Sequence, residues 1–331
     1  MAEPYTKPSR TVPEQLQHLQ SRGLVIKDPA KAGQELSRIG YYRFKAYIHA
    51  FRVLRDKSDL KKETTFEHVA DLYDFDRVLR SVVFQGLGLV EIGIRSLLVE
   101  RLTRPDKDPN KDFGIFAHQN QKAFGKSYKM RSRNGVYERV LVFDHSEFLS
   151  KLEREVKDSE EVFVRHYAKK YLGFPTIPCW MALQLTSFGS LAKLYSGCIR
   201  SIREDVARKV GLHEPVLDSW LHTLSYVRNL CAHHHRLWNR DLAIPPTLPE
   251  PRKEVAWTNP AIKPRIFLVL LMIRKLLREI GSEGWAETVE ANFQREFSDP
   301  WFAQGMGFPF SVSGSGGIET LLPWKEHVLW K

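Results

Sequence analysis

The sequence has few of the features that mark several common classes of protein. Its 331 residues include only three cysteines and no CxxC pair, so neither a disulfide framework nor a cysteine-rich zinc site is expected. The longest apolar run extends only from Ile266 to Ile273, whereas a membrane-spanning helix needs roughly 20 residues. The first residues contain no apolar core of signal-peptide type, and the chain has no P-loop and no internal repeat. We therefore expect a cytoplasmic protein with no membrane partner.

Acidic residues are fewer than basic ones. The chain has 39 Asp and Glu against 50 Lys and Arg, which gives a formal net charge of +11. Hydrophobic residues make up 43% and charged residues 27% of the chain, as in ordinary globular proteins. Because a positive net charge attracts polyanions, a nucleic acid is the first partner that the composition predicts.

Strand-like alternation is scarce, and apolar residues recur instead at helical spacing. Between residues 64 and 104 they form a stripe that includes Leu72, Phe75, Leu79 and Val82. Thr64 and Glu67 predict a capping box at the start of this first long helix. The pattern as a whole predicts an all-α fold.

The first long helix, at about 40 residues, is expected to kink or break at a glycine, namely Gly86, Gly88 or Gly93. Further helices are predicted at about 145–171, 187–210, from Pro215 onward, 261–280 and 285–297. We predict three regions: an N-terminal helical segment over 1–60, a helical core over 61–245 with a basic loop insertion at about 105–140, and a C-terminal helical extension and tail over 246–331.

The densest group of polar side chains is RNLCAHHHRLWNR, residues Arg228 to Arg240. The guanidinium of arginine offers a planar fork of donors to phosphate oxygens, and histidine, with an unperturbed pKa of about 6.5, exchanges a proton near neutral pH. Similar spacing alone is not specific, since it recurs at Arg43 and His49, Arg139 and His145, and Arg208 and His213. The dense context of Arg228, Asn229 and His233 is what indicates phosphodiester chemistry.

Helix geometry constrains how these three side chains act. At about 100° per residue, Asn229 and His233 share one face, whereas Arg228 and His233 point about 140° apart. Either the helix is irregular here, or the site is completed across a symmetric interface. We favour the second, because the chain has one good copy of the motif and two-fold dimers are the commonest oligomers.

Structural interpretations of the same residues stay open. The histidines can cap carbonyl groups or interact with the helix dipole, and Arg228 can be an ion-pair partner. Three successive histidines cannot converge on one ion, so no metal and no cofactor is predicted. Glu91 and Arg95 are four residues apart, as in a surface ion pair. If their helix instead lines the cleft in which the motif acts, Glu91 could orient Arg228 or His233.

A basic stretch precedes the second predicted helix. Its cations are Lys122, Lys126, Lys129, Arg131, Arg133 and Arg139, with Phe124, Tyr128 and Tyr137 between them. Such a stretch is either a solvated loop or an RNA contact, because interleaved aromatic rings permit base stacking in addition to phosphate contacts. Cys231 has no marked thiolate-stabilising neighbour and is interpreted as a small packing residue.

Several segments together resemble the Abi-like proteins of bacterial abortive infection, the AbiD and AbiF group within the HEPN superfamily. They read KPSRTVPEQLQHLQSRGLVI, LSRIGYYRFKAY, LYDFDRVLRSVV, VEIGIRSLL, PCWMALQLTSFGSLAKLY and RNLCAHHHRLWNR. The resemblance implies a HEPN-like four-helix bundle core with N- and C-terminal helical extensions, and a homodimer that brings two motifs together. It also implies a metal-independent endoribonuclease of antiphage defence or of a toxin-antitoxin system.

Applied to this chain, the resemblance assigns roles to the motif. His233 would act as acid or base in attack by the RNA 2'-hydroxyl, Arg228 would hold the scissile phosphate, and Asn229 would bind the phosphate or orient His233. His234 and Arg236 are expected to support the site. The alternatives are a non-catalytic RNA-binding module and a protein-interaction module in a defence complex. A protein or small-RNA antitoxin is an expected partner.

Overall fold

The computed structural model describes residues 4, 6, 8–52, 60–106, 108–109, 112–133, 136–249, 264–308, 310–312, 318–321 and 324–331. Within these ranges, the side chains at 129–139, 295, 298 and 310–321 lie outside the description. Thirteen α-helices and two two-stranded antiparallel sheets form the regular structure of the described residues. The predicted all-α fold class is confirmed.

Three short helices precede one long one: α1 (Val12–Ser21), α2 (Pro29–Ile39), α3 (Tyr41–Ile48) and α4 (Phe66–Thr103). The capping box of α4 lies one residue later than the predicted pair Thr64 and Glu67. The Thr65 hydroxyl accepts from the His68 amide at 3.2 Å, and His68 Nδ1 accepts from the Thr65 amide at 3.3 Å. The Thr64 hydroxyl instead donates to the Lys61 carbonyl at 2.7 Å, so it is not available as the cap.

The core continues with α5 (His145–Lys157), α6 (Val162–Lys170), α7 (Cys179–Ala182), α8 (Phe188–Gly197), α9 (Arg200–Lys209) and α10 (Glu214–Ala232). The helices predicted over 145–171 and 187–210 are each two helices. The second break has a clear cause, because the Ile199 amide donates to the Ala123 carbonyl at 2.9 Å and the Gly125 amide to the Gly197 carbonyl at 2.8 Å. The chain therefore leaves the helix to pair with residues 123–125.

The predicted basic loop at 105–140 contains an antiparallel hairpin, which corrects the loop prediction. Strands β1 (Ser127–Arg133) and β2 (Val136–Phe143) pair with Arg131 opposite Glu138. β-branched and aromatic residues of β2, such as Val136 and Val142, favour a strand. The charged residues Glu138 and Arg139 lie among these residues, and they made the segment look like a basic loop in the sequence.

The C-terminal region comprises α11 (Ile266–Ile280), α12 (Trp285–Ser298), α13 (Pro300–Met306), β3 (Phe310–Val312) and β4 (Ile318–Leu321). These helices explain why α4 is unbroken, contrary to the prediction of a kink at Gly86, Gly88 or Gly93. A Cβ at Gly86 would lie 2.6 Å from the Trp285 ring, and one at Gly93 would lie 2.7 Å from Ile280. The two glycines permit close packing, which offsets their low helix propensity of about 1 kcal/mol each.

Helix α4 is the centre of the fold. It packs with α8, α9 and α10 as a four-helix core, while α3, α11 and α12 add to its other sides. By length and composition α4 could cross a membrane, a test that buried core helices also pass. It also carries buried Asp76, Arg80 and Arg101, and these charged groups are satisfied by partners within the protein.

Candidate active site

The motif lies where α10 ends. Ala232 is the last helical residue, His233 is the C-cap (φ −91°, ψ 10°), and His234 has a left-handed backbone with φ 57°. The His235 amide donates to the Leu230 carbonyl at 2.8 Å and the His234 amide to the Cys231 carbonyl at 3.0 Å, which is a Schellman motif with histidine in the usual glycine position. The three histidines therefore cap the end of the helix and do not continue it.

Four polar residues of the motif face solvent. Asn229, His233, His234 and His235 are exposed, whereas Leu230 beside them is buried. Among the described residues, the Asn229 side chain and the His233 ring have no hydrogen bond or ion pair; the His233 ring contacts that of His235, with centroids 6.4 Å apart. Both side chains are thus available to a ligand, and neither caps a carbonyl group within the described structure.

Arg228 is half-buried on another side of α10. Its guanidinium lies over the ring of Phe84 on α4, 5.7 Å from the ring centroid. It forms no ion pair with any residue that the structure describes, so the ion-pair role open from sequence is not seen. A guanidinium stacked on an aromatic face keeps its edge donors for phosphate oxygens.

The chain after the histidines is held by the buried carboxylate of Asp76 on α4. The carboxylate accepts from the amide of Leu237 at 3.0 Å and from that of Trp238 at 2.7 Å. It also accepts from the Tyr47 hydroxyl at 2.6 Å and pairs with Arg80. This network joins α3, α4 and the motif segment, and it fixes the segment that follows His235.

The N-terminal segment adds a second brace. The Arg43 guanidinium donates to the His234 carbonyl at 2.8 Å, and Arg236 donates to the Ala46 carbonyl at 3.2 Å and the Asn239 carbonyl at 3.4 Å. Both residues that the sequence predicted to support the site thus have contacts to backbone groups. His234 accepts through its carbonyl group, and Arg236 donates to two carbonyl groups.

Glu91 and Arg95 form an ion pair at 2.6 Å, but it is not a surface pair. Their side chains are 15% and 9% exposed, and Arg95 also donates to the Thr186 carbonyl at 3.0 Å. Within the described residues Glu91 makes no bond to Arg228 or His233. The pair holds α4 to the segment before α8, and the structure does not bring it to the motif.

The predicted RNA-binding cations are only partly described. Lys122 is exposed in a 3₁₀ turn, and Lys126 forms an ion pair with Asp144 at 3.2 Å, which raises the lysine pKa. The side chains of the other four, Lys129, Arg131, Arg133 and Arg139, lie outside the described residues. The described cations of this stretch are therefore not brought together with the motif.

Asn229 also lines a cavity of about 430 Å³ between α8 and α10, together with Lys151, Lys193 and Tyr226. Lys151 donates to the Ser190 hydroxyl at 2.8 Å. Sequence analysis did not single out these two lysines, because they lie on different helices and only the packing of α5, α8 and α10 brings them together.

Candidate metal ligands and thiols were the remaining groups of interest. Within the part of the chain that the structure describes, no three His, Cys, Asp or Glu side chains are grouped so that they could hold a metal ion. All three cysteines are buried and free. Burial raises the pKa of the Cys231 thiol to about 12, so Cys231 remains a neutral packing residue.

Fold and site together define a helical protein that presents an asparagine and a histidine at the surface end of a core helix, on a buried ion-pair support. Residues 34–239 match the Abi-like protein family. The match covers more than half of the chain and includes Asp76, Arg228, Asn229 and His233, and the protein belongs to this family. Searches among curated proteins and among solved structures found no match.

Proposed function

We propose that the protein is a metal-independent endoribonuclease of HEPN type, acting in the cytoplasm as the toxic effector of an abortive-infection or toxin-antitoxin system. A protein or small-RNA antitoxin would restrain it. The supporting observation is the contrast around the motif, where Asn229 and His233 face solvent without a described polar partner while the adjacent backbone is fixed by Asp76. An open acid-base group, His233, beside an open amide, Asn229, on a fixed backbone is an arrangement that favours catalysis.

In the proposed reaction, the RNA supplies its own nucleophile. His233 removes the proton from a 2'-hydroxyl, whose oxygen forms a bond to the neighbouring phosphorus as the bond to the 5'-oxygen breaks. The departing oxygen takes a proton from a second acid, and the product ends are a 2',3'-cyclic phosphate and a 5'-hydroxyl. Arg228 stabilises the charge that builds on the phosphate oxygens, and Asn229 binds the phosphate or orients His233.

We assign the second acid to a second copy of the chain. Helix α4 exposes an apolar stripe next to Arg228, made of Phe84 (43% exposed), Gly88 and Ile92 (62% exposed). A Cβ built on Gly88 meets nothing within 4 Å, so the middle of this stripe is open to an approaching helix. A two-fold contact here would bring two copies of the motif together and supply two His233 rings.

Cleavage of labelled total RNA in excess EDTA, with analysis of the product ends, tests the nuclease. Wild type should cut to 2',3'-cyclic phosphate ends, and His233→Ala should be slower by about 10²–10⁴-fold. His213→Ala is the matched control, because His213 is an exposed histidine at the opposite end of the same helix. RNA binding without cutting would support the binding module instead, and equal cutting by His233→Ala would place the site elsewhere.

The interface is tested by Phe84→Asp with Ile92→Asp, measured by light scattering and by cleavage rate. We expect a dimeric wild type and a monomeric, inactive double variant. A wild type that is monomeric and fully active would refute the shared site. Val162→Asp is the control, because Val162 is 82% exposed on α6 and its change should leave both readouts unaltered.

A further inference from the structure

A second polar cleft lies on the N-terminal side of α3. This α1–α3 cleft has a volume of about 660 Å³ and is lined by the cations Arg10, Arg22 and Lys45 and by the rings of Tyr41 and Tyr42. An adjoining cavity of about 390 Å³ adds Arg52. None of the described residues that line either cavity is a carboxylate, so the cleft is suited to an anion.

Of the cations in the cleft, Arg10 acts on a described acid without forming an ion pair with it: hydrogen bonds from Thr11 and, less strongly, the charge of Arg10 lower the pKa of Glu14. Among the residues that the structure describes, no ion pair involves Arg10, Arg22 or Lys45, whereas the nearby Arg38 pairs with Glu35 at 2.5 Å. Burial raises the pKa of Tyr41, and the charges of Arg10 and Arg22 oppose that rise. Both guanidiniums line the same cavity as the Tyr41 side chain.

The cleft also offers aromatic faces. Tyr41 and Tyr42 are in edge contact with ring centroids 5.9 Å apart, and Tyr42 is 75% exposed. Exposed aromatic rings beside cations are the combination on which single-stranded nucleic acid binds, because bases stack on the rings while phosphates contact the cations. The rings would contribute nothing to the binding of a free phosphate and little to the binding of an acidic peptide.

One helix connects this cleft to the motif. α3 presents Tyr42 and Lys45 to the cleft, and Arg43 between them donates to the His234 carbonyl at 2.8 Å. An α-helix with its side chains is about 10–12 Å across. An RNA strand held at the motif would therefore reach the cleft within a few nucleotides.

We infer that the α1–α3 cleft binds a single-stranded segment of RNA adjacent to the scissile phosphate, with bases stacked on Tyr41 and Tyr42 and phosphates on Arg10, Arg22 and Lys45. The position of this segment relative to the cut rests on the proposed function, but binding in the cleft does not. The cleft then selects unpaired RNA, and the motif cuts it.

The test measures anisotropy of a labelled 20-nucleotide unstructured RNA, in EDTA and with His233→Ala as the background so that the probe stays intact. Arg22→Gln with Lys45→Gln should weaken binding about tenfold and reduce the slope of log Kd against log salt by about 1.4, or about 0.7 for each lost contact. Tyr42→Ala should weaken binding at least about fivefold, and Tyr42→Phe should restore it.

Matched controls come from α6 and the residues after it. Lys169→Gln with Lys170→Gln removes two exposed cations, and Tyr171→Ala removes a ring that is 49% exposed and contacts Lys170. These variants should bind the RNA as the background protein does. Thermal unfolding of every variant checks that the fold is intact, since all the changed side chains are at least partly exposed.

Several results would overturn the inference: no RNA binding at all, equal binding by the cleft variants, or equal displacement of the probe by poly-glutamate or by an RNA duplex. Crosslinking of 4-thiouridine RNA to the peptide that carries Tyr41 and Tyr42 would support it. The two proposals fail separately. If the cleft variants lose binding but wild type never cuts, the nuclease fails and the cleft stands; if wild type cuts and the cleft variants bind and cut normally, the cleft fails.

Discussion

The end of α10 and the hairpin of β1 and β2 are both rich in cations, and the sequence predicts RNA contact for both. They differ in whether their polar side chains already have partners within the protein. At the end of α10, Asn229 and His233 face solvent without a described polar partner. Near the hairpin, Lys126 pairs with Asp144 at 3.2 Å, and Arg203 on the adjoining cavity wall pairs with Glu214 at 3.2 Å.

The difference shows that basic composition and a fixed site are separate properties. A cation that already has a carboxylate partner must lose it, or share it, before it can hold a phosphate. By contrast, the motif has Asn229 and His233 open and its backbone immobilised by Asp76 and Arg43. A site that acts on a phosphodiester needs this second arrangement, because positioned groups lower the barrier more than mobile ones do.

Removal of the support should have the largest effect. Asp76→Ala leaves the buried Arg80 without its partner and two amides without an acceptor, and we expect the free energy of unfolding to fall by about 3–5 kcal/mol. Urea denaturation measures it. Asp74→Ala is the control on the same helix, because the pair of Asp74 and Arg77 is exposed and should contribute under about 1 kcal/mol. Similar losses in the two variants would refute the role of Asp76.

The second prediction compares the two regions by activity. Arg228→Ala should lower the cleavage rate by about 10²–10³-fold, since it removes the donor that stabilises the developing phosphate charge. Lys122→Gln with Lys126→Gln should change the rate by less than about threefold, because surface cations contribute little to the reacting centre. Single-turnover cleavage measures both. An equal loss in the hairpin variant would mean that the hairpin also reaches the reacting phosphate.

The sequence was sufficient for the parts of the fold that depend on local pattern. Helical periodicity predicted the long helix and the all-α class, and Pro215 predicted the start of α10, which begins at Glu214. The motif could be located because its polar residues adjoin each other in the chain. Local structure of this kind follows from the spacing of residue types along the chain. It can therefore be predicted without knowing which distant residues are in contact.

The features that the sequence did not predict depend on contacts between distant segments of the chain. Asp76 lies in an apolar helix and binds amides 161 and 162 residues away, and no local pattern marks that pairing. Gly86 looked like a break because the indole of Trp285, which fills the space beside it, also comes from a distant part of the chain. The turn that places His234 at φ 57° was missed because histidine is not the usual residue there.

The third prediction tests whether His234 contributes to the motif through its backbone and not through its ring. His234→Gly removes a side chain from a left-handed position, and we expect stabilisation of about 0.5–1 kcal/mol with cleavage retained. Cleavage should survive because Arg43 binds the carbonyl of this residue and not its ring. His235→Gly is the control, because His235 has no left-handed backbone, so glycine there should destabilise. Loss of cleavage in His234→Gly with full stability would assign the ring a role in the site.

The smallest effect is expected beside the hairpin, where Asp144 has a structural role. Its carboxylate caps α5 and pairs with Lys126, and hydrogen bonds from Ser146 and Lys126 lower its pKa from 3.8 to about 2. Because the folded pKa is depressed, the stabilisation is present above about pH 4 and is lost as pH falls toward 2. Asp144→Asn keeps a capping oxygen but removes the titration, so its thermal midpoint should fall less than that of wild type between pH 4 and 2. If the two midpoints fall in parallel, this carboxylate is not held by Lys126 and Ser146 in solution, and Lys126 becomes as available to RNA as the open groups of the motif.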